Sequence, residues 1–123
     1  MNIADERRKI LDGTYPSRVI QGRQNKHIPG TTEFAQNQAK MRLIESEPSI
    51  LEVDAQTLVD KYKGTGTIYF IGSPYPRELI ATGKVIGKSW VKGLNKYVDT
   101  RKIEIFYSST GVHIVPVSDY KKR

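Results

Sequence analysis

Lys102-Ile103-Glu104-Ile105-Phe106-Tyr107-Ser108-Ser109-Thr110-Gly111-Val112-His113-Ile114-Val115-Pro116-Val117 is the stretch on which the fold turns. Two runs rich in branched and aromatic residues flank Ser108-Ser109-Thr110-Gly111, a sequence of good turn formers, and this pattern predicts a hairpin. Symmetric closure of the loop sets Tyr107 against Val112, Phe106 against His113 and Ile105 against Ile114. Side chains alternate across a strand. One face then carries Ile103, Ile105, Tyr107, Val112 and Ile114, which is core. The other carries Lys102, Glu104, Phe106, His113, Val115 and Val117, and so mixes charge, imidazole and aromatic ring.

Upstream, residues 67–71, 80–86 and 90–98 also suit strands. The clearest helix begins after Asp54, a good N-cap. Ala55, Leu58, Val59 and Tyr62 follow at helical spacing, and Gly64 stops the run. Gly64-Thr65-Gly66 lacks the Gly-Lys-Ser/Thr continuation of a phosphate loop and is a helix stop. Before Asp54, Ile50, Leu51 and Val53 give a short strand, and Pro48 ends a helix expected over residues 31–46 with Thr31 or Thr32 as its cap. Residues 2–11 make a first helix, with acids in its first turn and bases in its last. Residues 14–30, with Pro16, Gly22, Pro29 and Gly30, are expected to form an extended connector.

Helices first and strands later define an α+β fold, with N-terminal helices packed on a C-terminal antiparallel β-sheet. The expected organisation is a single domain over 1–123. Residues 1–23 are its first helix and connector, 24–117 its core, and 118–123 a basic tail that frays.

Twenty lysines and arginines against thirteen acids give a net charge of +7. That charge favours encounter with a polyanion, RNA above all. The absence of cysteine excludes disulfides, thiolate zinc sites and thiol nucleophiles. No apolar run approaches the roughly 20 residues of a membrane span, and the charged start does not read as a signal peptide. No membrane partner is expected.

RNA carries its own nucleophile, the 2′-hydroxyl. Cleavage requires a base for that proton, an acid for the departing 5′-oxygen and cations for the phosphate, with neither metal nor cofactor. Histidine suits both proton transfers near neutrality. The chain has two, His27 and His113. His27 lies in Lys26-His27-Ile28-Pro29-Gly30-Thr31, and His113 on the mixed hairpin face. Taken singly, one reads as a structural strand residue and the other as a solvated loop residue; meeting over one cleft, they make a site. Arg101 and Lys102 are either edge charges that discourage aggregation or phosphate ligands. Lys26, Thr31, Glu104, Ser108 and Thr110 complete the candidates, with Ser108 or Thr31 orienting the phosphate.

Lys26 to Thr31, the helix ending Lys61-Tyr62-Lys63-Gly64-Thr65-Gly66, and Tyr107 to Pro116 occur in an order that resembles the bacterial polymorphic toxin type 50 domain. The resemblance spans roughly residues 24–117. It implies a metal-independent RNase of the barnase–colicin E5–RelE type, with catalytic His27, His113 and Ser108, a basic residue at Arg101 or Lys102, and a cognate immunity protein. Two departures stand out. Residues 34–48 are longer than the pattern, and Phe106 replaces a more polar residue of some relatives. The departures and the short chain also fit a non-enzymatic phage or prophage protein that binds nucleic acid or a head partner. Either protein would act in the bacterial cytoplasm or on the virion.

Overall fold

The hairpin forms in the register that its loop dictates: β6 (Lys102–Tyr107) and β7 (Val112–Val117) pair Tyr107 with Val112, Phe106 with His113 and Ile105 with Ile114. The computed structural model describes residues 2–122. It places this hairpin in a four-stranded antiparallel sheet ordered β2-β3-β6-β7, where β2 is Thr67–Tyr69 and β3 is Arg77–Ala81. A second antiparallel sheet is ordered β1-β4-β5, from Ile50–Leu51, Gly87–Val91 and Lys96–Thr100.

Among the described residues, four α-helices precede or interleave these strands. α1 (Ile3–Leu11) is capped by the Asn2 side chain, which accepts from Asp5 N–H at 3.1 Å. α3 (Thr32–Arg42) is capped by Thr31, and α4 (Ala55–Tyr62) by Asp54, which accepts from Thr57 N–H at 2.9 Å. The α+β reading holds.

The core lies between α1, α4 and the inner face of the four-stranded sheet. Ile10, Leu58 and Val59 meet Ile68, Ile80, Ile103, Ile105, Tyr107, Val112 and Ile114. Ile10, Ile103, Ile105 and Ile114 are wholly buried, each contributing about 1.5–3 kcal/mol over an exposed side chain.

Three expectations need correction. Residues 14–30 are not simply extended: α2 (Gln21–Gln24) and a 3₁₀ turn (Asn25–His27) form within them. Residues 90–98 are not one strand but the end of β4, a turn and most of β5, with Val91 paired to Lys96 and Asn95 at φ +49°. The strand expected at 80–86 lies earlier, as β3. Beyond it, residues 82–86 oppose Arg101 alone, since Ala81 pairs with Lys102 and Gly87 with Thr100. This bulge bends one long ribbon into two sheets.

Glu78 stands on the inner face with no exposed surface. Its carboxylate accepts from Gly64 N–H at 2.9 Å, Gly66 N–H at 2.7 Å and the Tyr107 hydroxyl at 2.7 Å. Arg7 of α1 donates to the Gly64 and Gly66 carbonyls from the other side. Burial, then the Glu78 charge, pushes the Tyr107 hydroxyl well above the ordinary tyrosine range, so it remains a donor. Glu78→Ala would strand three donors, two of them buried and the Gly66 N–H partly so, each costing about 1–3 kcal/mol. We expect a stability loss of at least about 3 kcal/mol in urea unfolding; a loss below about 1 kcal/mol would deny the network its role.

Candidate active site

Residues 18–24 deliver His27 to the hairpin. Val112 N–H donates to the Arg18 carbonyl at 2.9 Å, and Ile20 N–H to the Val112 carbonyl at 2.8 Å, so Val19 bridges Val112 in parallel. This approach needs Gly111. At φ +149°, a Cβ there would lie 2.4 Å from the Arg18 carbonyl oxygen. Two residues further along β7, Gln24 takes over. Its side chain, wholly buried, donates to the Ile114 carbonyl at 2.9 Å and accepts from Ile114 N–H at 2.7 Å. The next outward-facing position is Pro116, which has no N–H to satisfy.

The 3₁₀ turn follows Gln24 directly and carries Lys26 and His27. His27 Nδ1 lies 3.0 Å from both the Ser49 carbonyl and the Ser49 hydroxyl. A carbonyl can only accept, so Nδ1 carries the proton, and the neutral ring has its lone pair on Nε2.

On the outer sheet face, strand register aligns Tyr69, Arg77, Phe106 and His113 in one row. The His113 and Phe106 rings stack, with centroids 4.8 Å apart and planes 28° apart. Arg77 lies over the other ring partner, its guanidinium carbon 4.4 Å from the Phe106 centroid. Phe106, a departure in sequence, is thus the support that holds an imidazole and a guanidinium in register.

Both imidazoles are held below the ordinary histidine value. His113 is pulled down to about 4, first by burial and then by repulsion from His27, Arg23, Lys26 and Arg77. Its Nδ1 is buried with no hydrogen-bond partner among the described residues, so a charged ring would leave an N–H unanswered. His27 is lowered by burial and by Lys26, against the Ser49 carbonyl, which favours the charged form. His27, Arg23, Lys26 and Arg77 thus lie near enough for their charges to act on His113.

The other expected residues divide. Ser108 lies by Arg23, its hydroxyl donating to the Gly111 carbonyl at 2.8 Å with Arg23 at 3.5 Å, and Thr110 lies beside it at 3.4 Å. Thr31 is spent on structure: its hydroxyl engages the Asn25 and Ile28 carbonyls and caps α3. Glu104 is 1% exposed and ion-paired to Lys121 at 2.6 Å, out of reach of a ligand in this conformation. The same pair corrects the expectation of a frayed tail at Lys121; Arg123 lies outside the described residues. Lys102 shares the outer face, four residues along β6 from Phe106. Arg101 lies five residues from Phe106, about 17 Å along the strand, paired to Asp119 at 3.1 Å. The structure does not bring it to the histidines. Arg77, not Arg101, stands in the row of Phe106 and His113. Gln24, Arg23, Ser49 and Arg77 went unsought. The row could have been found by placing Arg77 in a strand one register from Phe106. Among the described residues, no group of three or more metal-ligating side chains converges.

Helices and two antiparallel sheets joined in this way define a small basic α+β protein. Residues 19–116 match the family model of bacterial toxin 50. The chain belongs to that family of toxin domains. No curated protein matches the chain. Among the described residues, no helix is long and apolar enough to cross a membrane.

Proposed function

We propose that the protein is a metal-independent endoribonuclease toxin that acts in the bacterial cytoplasm and is held in check by an immunity protein. The observations that support this most are that Arg77 and His113 both pack on Phe106, and that the turn carrying His27 follows Gln24, which is bonded to Ile114 next to His113. In this reading Arg77 and Arg23 hold the phosphodiester, with Lys26 adding charge. Neutral His113 accepts the 2′-hydroxyl proton. His27, protonated, donates from Nε2 to the departing 5′-oxygen while Ser49 fixes its ring. The entering anion favours the charged form of both rings, which offsets the repulsion they meet in the free protein. The products are a 2′,3′-cyclic phosphate and a 5′-hydroxyl.

The pH dependence follows from the two directions. The base must be neutral, so kcat/KM rises as His113 loses its proton near pH 4. The acid must be charged, so kcat/KM falls as His27 loses its proton, below the ordinary 6.5. An optimum on the acid side of neutrality is expected, measured on RNA in EDTA with the ends identified as cyclic phosphates. Absence of cleavage from pH 4 to 8, or cleavage abolished by EDTA, rejects the reading. Salt-sensitive RNA binding without cleavage would leave a nucleic-acid-binding phage protein in its place.

A further inference from the structure

We propose that a lysine-lined groove on the same sheet face is a second phosphate subsite, gripping the RNA backbone a few nucleotides from the cut. It rests on the ribonuclease reading above and deepens it. The groove, of about 550 Å³, is lined in part by Thr67, Leu79 and Ala81, together with Lys102, Lys121 and Lys122. By register, Thr67 and Leu79 lie one row along from Tyr69, Arg77, Phe106 and His113, and Ala81 and Lys102 two rows along. Lys102 is therefore about 14 Å from the Phe106 row along β6, a distance that a short single strand lying on the sheet would cover.

The tail is held there by specific bonds. Lys121 Nζ pairs with the buried Glu104 carboxylate at 2.6 Å, and Lys102 Nζ donates to the Lys121 carbonyl at 2.9 Å. Three ammonium groups thus surround the groove, and neither Lys102 nor Lys122 has an ion-pair partner among the described residues. A buried glutamate that pairs with a lysine of the tail is an anchor for that tail. It fixes Lys121 and presents Lys122 beside the sheet, leaving spare N–H donors toward solvent. Lys121 and Lys122 lie beyond the matched residues 19–116, and Lys102 lies within them. A phosphodiester chain fits better than an acidic protein because the groove continues the face that carries Arg77 and His113, on one line along the strands.

The test uses the full chain and the Lys102→Ala/Lys122→Ala double variant, both checked by thermal melt. Binding is read as anisotropy of a fluorescent ten-nucleotide single-stranded DNA, which lacks the 2′-hydroxyl and cannot be cut. Cleavage is read as the ratio of kcat/KM on a ten-nucleotide RNA to that on a dinucleotide. The double variant should bind the oligonucleotide about tenfold more weakly at low salt. Its salt slope should be shallower by about 0.7 for each phosphate that is no longer neutralised, and its length preference should collapse. A Lys102→Arg/Lys122→Arg variant should restore all three. Unchanged affinity, slope and length preference overturn the subsite and leave the groove to an acidic protein. Weakened binding without RNA cleavage by the wild-type chain keeps the subsite and removes the ribonuclease.

Discussion

His113→Phe leaves a folded protein whose RNA cleavage falls by about 10²–10⁴-fold, the usual worth of a positioned general base. Phenylalanine keeps the stack on Phe106 and the half-buried site, but carries no titratable nitrogen. The loss should appear in kcat/KM across the pH range and should not be rescued at pH 4. The same variant changes stability in a direction fixed by linkage. In the unfolded chain the imidazole binds a proton below about 6.5, whereas the folded ring does so only near 4. Between those values the unfolded state holds more protons, so the wild-type protein loses stability as pH falls from 6.5 to 4. The gap corresponds to a ceiling of about 3 kcal/mol. His113→Phe should flatten that part of the stability curve. A variant cleaving at more than about a tenth of the wild-type rate would remove His113 from the chemistry. An unaltered pH–stability curve would show that the ring is not held neutral.

Gln24→Leu should be the most damaging single change among the polar residues around the site. Leucine has similar bulk but leaves the Ile114 N–H and carbonyl buried and unanswered. At about 1–3 kcal/mol each, the expected cost is roughly 2–6 kcal/mol. Such a cost approaches half the total stability typical of a small domain. Gln24→Glu separates the two bonds, since its carboxylate still accepts from the N–H but cannot donate to the carbonyl. The folded fraction should also cleave poorly, because Gln24 is the tie between β7 and the turn that carries His27. Urea unfolding and RNA cleavage at matched folded fraction measure the two effects. Stability within about 0.5 kcal/mol of wild type would mean that water serves Ile114 equally well.

How far the sequence disclosed this molecule depended on whether the deciding signal was local. The hairpin register was legible because a four-residue loop and strict alternation leave one pairing that buries Ile103, Ile105 and Ile114 together. The α4 helix was legible because Asp54, the apolar spacing and Gly64 all agree. The β4–β5 turn was not, because Trp90, Tyr97 and Val98 continue a strand-like composition through it and mask Gly93 and Asn95. Arg77 was overlooked because it follows Pro74 and Pro76, which read as loop. Gln24 was beyond sequence reasoning altogether. A glutamine in a polar stretch reads as solvated, and its burial depends on the unpaired rim of a strand 90 residues away. The two histidines could be nominated from the sequence; the turn and the Gln24 tie that position His27 could not.

The outer edge of β7 carries a final consequence. Its outward hydrogen-bonding positions are closed by three different chemistries: peptide groups of residues 18 and 20, a side-chain amide, and an imino acid. An added polypeptide finds no ladder to extend there, so neither fibril growth nor strand exchange can begin at the strand that bears His113.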